Sequence, residues 1–154
     1  MSDLTFNVYI SSRDSISLHP TNTPYEFVTE LPFPISLPGK WTCSVEGVFG
    51  KITKPDVHPL CLHVLLDCVR TSISYGTQKQ IACTCILDAD DGDDEHPIHL
   101  SPIGESSVFV SRQSLSSIGV RIVTNNLEDF QHMVDETIVI LKFRTESWPH
   151  PKDK

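Results

Sequence analysis

The sequence predicts an all-β protein, an antiparallel β-sandwich of about eight strands. Three observations carry that expectation. Short runs alternate apolar and polar residues with a period of two, and clusters of Ser, Asn, Asp, Gly and Pro separate them. No amphipathic run is long enough for the helix of a βαβ crossover, so the sheets must pack on one another. At 154 residues the chain suits one domain over 1–145, followed by a polar tail over 146–154. Jelly-roll and immunoglobulin-like sandwiches share this patterning, which leaves strand order open.

The first strand is "LTFNVYI", with Leu4, Phe6, Val8 and Ile10 on one face and Thr5, Asn7 and Tyr9 on the other. "SSRDSISLHPTNTP" reads as a connection with a short edge pairing at Ile16 and Leu18. "YEFVTEL" sets Tyr25, Phe27 and Leu31 against Glu26 and Glu30 as a second strand. In "ELPFPISLPGKW", Pro32, Pro34 and Pro38 donate no backbone hydrogen bond and disfavour helix, which predicts an extended connector outside any central ladder. Gly39 then permits a reversal before Trp41.

"WTCSVEGVFG" places Trp41, Cys43, Val45, Gly47 and Phe49 on one face of a third strand, and "KITKPDVHP" reads as a loop. "LCLHVLLDCV" is short and preceded by Pro59, which favours strand, and "KQIACTCIL" aligns Ile81, Cys83 and Cys85. "DADDGDDEHP" and "IHLSPIGESS" read as loop and turn. "SVFVSR", "SIGVRIVT" and "ETIVILKFR" complete the set, the last two joined by "NNLEDFQHMVD" as a loop or a helical turn or two. The expected core comprises Phe6, Phe27, Trp41, Val45, Ile122, Ile140 and Phe143, together with Phe49.

Lys and Arg number 12 against 20 Asp and Glu, a formal charge of -8 that repels phosphate backbones, and no basic patch offsets it. Nucleic acid is therefore not an expected partner. The start, "MSDLTFNVYI", lacks a basic leader, and no run approaches the roughly 20 apolar residues of a membrane span, so a soluble protein made in the cytosol is expected. Five cysteines without a secretory signal argue for reduced, buried thiols.

The strongest metal candidate is Cys61, His63, Cys83 and Cys85, because i, i+2 spacing places both members of each pair on one strand face. Structural zinc sites more often draw on C-x₂₋₄-C turns, and Cys is commonly a small core residue, so no metal is expected. In the acidic run, an EF-hand count through Gly92 puts Leu87 first, Ala89 third and Ile98 twelfth, and the pattern fails. No G-x-S-x-G elbow, protease-like cysteine context or phosphate loop is present. The reading is a protein without catalysis or cofactor.

Two stretches carry a family likeness. "FNVYISSRDSISLHPTNTPYEFVTELPFPISLPGKWTCSVEGVF" contains Asn22, Thr23, Phe27, then "LP.PI.L.G.W" from Leu31 to Trp41, then Val45 and Glu46. "LSSIGVRIVTNNLEDF" with "ETIVILKFR" forms the second. Together they resemble the small capsid proteins of Maverick/Polinton elements and adintovirus-like DNA viruses. The resemblance implies a single jelly roll serving as minor capsid, or penton, protein. It implies a homopentamer at five-fold vertices beside a double-jelly-roll major capsid protein. It places the protein in the virion, made in the host cytosol, with the nucleus as an alternative site of assembly.

Loops at sandwich ends are free to vary for recognition. The interface candidates are therefore Pro32, Pro34, Pro38 and Lys40, the acidic-loop residues Asp90, Asp91 and Asp93, and Trp148 of the tail. The alternative is a β-sandwich module binding a receptor, glycan or protein, which a solvent-facing cluster of Trp148 with Tyr9 or Tyr75 would favour.

Overall fold

Along the chain the long strands alternate between two sheets, apart from one mid-chain pair that shares a sheet. The computed structural model describes residues 4–53, 60–74, 77–87, 95–104 and 107–146, among which there are strands but no helix. The strands are β1 (Thr5–Ser11), β2 (Glu26–Ser36), β3 (Trp41–Thr53), β4 (Leu60–Leu66), β5 (Ser72–Ser74), β6 (Thr77–Lys79), β7 (Ile81–Leu87), β8 (Glu95–Leu100), β9 (Val108–Phe109), β10 (Ser114–Thr124) and β11 (Met133–Thr145). Sheet A has the order β1-β11-β3-β8, with β9 also on β3, and sheet B the order β2-β10-β4-β7. β5 and β6 form a small separate hairpin.

Every pair is antiparallel, and the pairs nest: β1 with β11, β2 with β10, β3 with β8, β4 with β7. A chain folded back on itself into nested antiparallel pairs, rolled so that successive pairs fall in opposite sheets, is a jelly roll. This order decides between the two sandwich types that the sequence left open.

The core fills the space between the sheets. Sheet A supplies Val45, Val48, Ile52, Val139, Leu141 and Phe143, and sheet B supplies Phe27, Leu62, Val64, Leu66, Ile118 and Ile122, all buried. Trp41 is buried at the start of β3, and Phe6 is half-buried against the same cluster.

Several expectations need correction. Ile140 and Phe143 were both expected in the core, yet they have opposite parity along β11; Val139, Leu141 and Phe143 face inward, so Ile140 faces out and is only half-buried. Phe49 also faces out, 38% exposed. Its partner strand shows why: Ile140 opposes Gly47 but Leu141 opposes Val45, which makes Glu46 an extra residue in β3. The bulge moves the inward positions from Cys43 and Val45 to Val48 and Ile52.

β3 continues through Lys51 to Thr53, where a loop was expected. "EHPIHL" forms β8 despite Pro97, whereas "SVFVSR" contributes only Val108–Phe109 and a bridge at Val110. Ile16 and Leu18 lie in a run of turns rather than in an edge strand. The segment between β10 and β11 makes turns and no helix, and it buries Phe130.

Candidate assembly surfaces

Two edges of the sandwich lie on the same side: β1 ends sheet A and β2 ends sheet B. An open edge presents unpaired N–H and C=O groups to which another chain can add. The two edges are treated differently.

Along β2, the Ile122 N–H donates to the Tyr25 carbonyl, so the alternate residues Glu26, Val28 and Glu30 face outward. The segment before β2 meets each of them. The Thr23 hydroxyl accepts from the Glu26 N–H at 3.0 Å, and the Thr23 N–H donates to the Glu26 carbonyl at 2.8 Å. The Asn22 side chain accepts from the Val28 N–H at 3.0 Å and donates to the Val28 carbonyl at 2.9 Å, standing in for a residue of a neighbouring strand. Ser15 Oγ accepts from the Glu30 N–H at 2.8 Å.

Farther along the same edge, Pro32 and Pro34 have no N–H to offer. This stretch was expected to be a connector. It is instead the bulged second half of β2: Glu30 opposes Ser117, Ile35 already opposes Leu115, and the prolines occupy the surplus between them. Pro32, Pro34, Pro38 and Lys40 are exposed, and Phe33 between the first two is 78% exposed. Asp90, Asp91, Asp93 and Trp148 lie outside the described residues, as does Tyr75.

The β1 edge is closed at its Ser11 end. The Ser11 N–H donates to Asp14 Oδ2 at 3.0 Å, and the Ser11 carbonyl accepts from the Thr29 hydroxyl at 3.2 Å. Thr145 donates to the Leu4 carbonyl and Ser12 to the Thr137 carbonyl, so the even-numbered residues of β1 face β11 and Asn7 and Tyr9 face the open side. Among the described residues, nothing meets the edge-facing backbone groups of Asn7 and Tyr9. Beside them runs a groove of about 600 Å³ between the two edges, whose lining includes the apolar Val8, Leu31, Phe33 and Ile35 and the polar Asp14, Thr29 and Glu30.

The solvent face of sheet A carries an apolar strip. Tyr9 pairs with Ile140, and Ile138 with Phe49, whose ring stacks on His99 at 4.3 Å. Gly47 makes room for that stack, since a Cβ there would stand 3.0 Å from His99 Nε2.

The four metal candidates do not converge. Leu62 pairs with Cys85 and Val64 with Cys83, all facing the core, so Cys61 and His63 face the opposite side of sheet B. A one-residue offset in a strand places side chains on opposite faces, and no single ion can reach all four. The Cys83 thiol is held well above its usual range by its hydrogen bond with Cys85, at 3.9 Å between sulfurs, and by burial. Cys43 is raised likewise by a hydrogen bond with Cys68 and by burial, which keeps these thiols protonated and poor as ligands or nucleophiles.

His63 shares a hydrogen bond of 2.8 Å between Nδ1 and the Thr84 hydroxyl, and burial lowers its pKa below the ordinary 6.5. The folded chain therefore holds it neutral while the unfolded chain takes up a proton as pH falls through about 6.5, so stability declines below that pH. Urea titrations at about pH 7.5 and 5.5 are expected to show a smaller decline for His63→Asn than for the parent. Equal declines would assign the acid sensitivity to other groups.

Neither a family model nor a curated protein matches the sequence. Among solved structures, the mavirus penton protein is similar in fold at 8% identity, with a TM-score of 0.61 over 96% of this chain and 100% of that one. A structure of infectious bursal disease virus Gt strain covers 97% of this chain and 42% of that one at 14% identity, but its TM-score of 0.18 carries no argument.

Proposed function

We propose that the chain is a minor capsid protein of the penton type, closing as a homopentamer at the five-fold vertices of a DNA virus or virus-like mobile element. The observation that carries this reading is a jelly roll whose fold matches that of the mavirus penton protein along nearly its whole length. The Asn22 to Glu46 pattern, resembling Maverick/Polinton and adintovirus-like capsid proteins, supports it from the sequence.

In this role the mechanism is shape rather than chemistry. The paired sheets give a rigid body, and the partners are further copies and a double-jelly-roll major capsid protein. A closed ring needs a heterologous interface, one patch on each copy meeting a different patch on the next. The exposed residues Pro32, Phe33, Pro34, Pro38 and Lys40 and the apolar strip on sheet A offer two such unlike patches. The protein would then reside in the virion, after synthesis in the host cytosol and assembly there or in the nucleus.

The exposure of Tyr9, at 65%, also fits the alternative of a sandwich that binds a receptor, glycan or protein. Native mass spectrometry separates the two. A discrete species of five chain masses is expected for the penton reading. A chain that stays monomeric, both alone and mixed with the major capsid protein, overturns it.

A further inference from the structure

The contrast between the two edges points to a docking site. The β2 edge is covered at Glu26, Val28 and Glu30 by Thr23, Asn22 and Ser15, and then loses its donors at Pro32 and Pro34. Among the described residues, nothing covers the adjoining β1 edge at Asn7 and Tyr9, next to a largely apolar groove. One edge so fully blunted beside another that meets no described residue at Asn7 and Tyr9 presents a place for strand addition.

We propose that the open edge of β1 receives residues 147–154 of a second copy of the chain as an added antiparallel strand. The inference rests on the capsid reading and names the contact that would join neighbouring copies.

Sequence spacing selects this segment. Pro149 and Pro151 are two residues apart, so in a strand both turn their missing N–H to the same side. Trp148, His150 and Lys152 then turn complete backbone groups to the other side, toward β1. Two of these residues, placed opposite Asn7 and Tyr9, would exchange both hydrogen bonds with each. The prolines would block any further strand.

Side-chain placement agrees. Residues directly opposite in an antiparallel pair share a face, so Trp148 and His150 would lie with Tyr9 on the solvent face of sheet A, extending the strip of Ile140, Ile138 and Phe49. Pro149 and Pro151 would face the groove at Val8, Leu31 and Phe33.

The geometry at the end of β11 favours a second copy over the chain's own segment. The Glu146 N–H donates to the Lys40 carbonyl at 2.9 Å, on the β3 side of β11, whereas the open edge lies beyond β1 on the other side. Eight residues extend to roughly 26 Å, enough to cross from one copy to a neighbour in contact.

Amide hydrogen exchange on the full-length chain tests the proposal. In the assembled protein, the Asn7 and Tyr9 amides are expected to exchange at least about tenfold more slowly than in Trp148→Ala, which removes an aromatic anchor. Adding a synthetic peptide of residues 146–154 to Trp148→Ala should restore the protection. Unchanged exchange at Val48 and Leu141 would show that the variant keeps its core. Equal exchange in the parent and Trp148→Ala, or no effect of the peptide, overturns the assignment. A pentamer with unprotected Asn7 and Tyr9 would overturn it while the vertex reading stands. Peptide protection without any pentamer would uphold the edge site and count against that reading.

Discussion

Replacing Phe143 with alanine is expected to lower the unfolding free energy by about 3–5 kcal/mol. The ring is fully buried in β11, between Phe6 on β1 and Cys43 on β3. It stacks on Phe6 with centroids 5.2 Å apart. Strands on both sides are hydrogen-bonded to β11, so the backbone has little freedom to collapse into the vacated space, and the cavity cost adds to the lost transfer energy. Against a total stability of about 5–15 kcal/mol for a domain of this size, the loss is a large share. Thermal unfolding should fall by about 10–15 °C. A drop below about 1.5 kcal/mol in urea titration would mean that the two sheets close over the gap, contrary to the packing described.

The fold class was legible because each sheet face obeys a period of two, and a sandwich needs little more than that to declare itself. What was not legible followed from departures of a single residue. Glu46 is one extra position in β3, and it turns Phe49 from an inward aromatic into the partner of His99 on the solvent face. Nothing in "WTCSVEGVFG" announces a bulge, because its apolar residues continue past it on both parities. "ETIVILKFR" has the same ambiguity: Ile138 and Ile140 are as apolar as Val139 and Leu141, and only the packing of sheet A against sheet B chooses between them.

The prolines show the opposite case. Their lack of a donor could be read directly, and it excluded a central strand, but whether the segment was a connector or an edge depended on where β10 lay. The covering of the β2 edge by Asn22 was beyond the sequence in a further sense. Its contact with Val28 spans only six residues, yet it has meaning only once Val28 is known to face away from the sheet. For the metal candidates, spacing sets Cys61 with His63 on one strand face and Cys83 with Cys85 on another. The register between β4 and β7 then separated one pair from the other.

Trp41→Ala is expected to cost about 3–5 kcal/mol, and comparison with Trp41→Phe would divide that cost between burial and hydrogen bonding. The indole is 6% exposed, meets Phe6 edge-on at 5.6 Å, and donates from Nε1 to the Pro38 carbonyl at 2.9 Å. The Trp41 carbonyl also accepts from the Val110 N–H, and the neighbouring Lys40 carbonyl accepts from Glu146. Trp41 therefore ties the turn after β2 to the residue following β9, while Lys40 beside it holds the end of β11. Phenylalanine keeps most of the ring but loses the donor, so Trp41→Phe should cost about 1–2 kcal/mol, less than half the alanine effect. An equal cost for the two variants would place the stabilisation in the bond to Pro38 rather than in burial. Because Trp41 and Phe143 both touch Phe6, their effects should not be independent. Combining Trp41→Phe with Phe143→Leu is expected to depart from additivity by about 0.5 kcal/mol or more, since Phe6 repacks once for both losses. Strict additivity would show that Phe6 is held in place by β11 alone and that the three rings do not act as a unit.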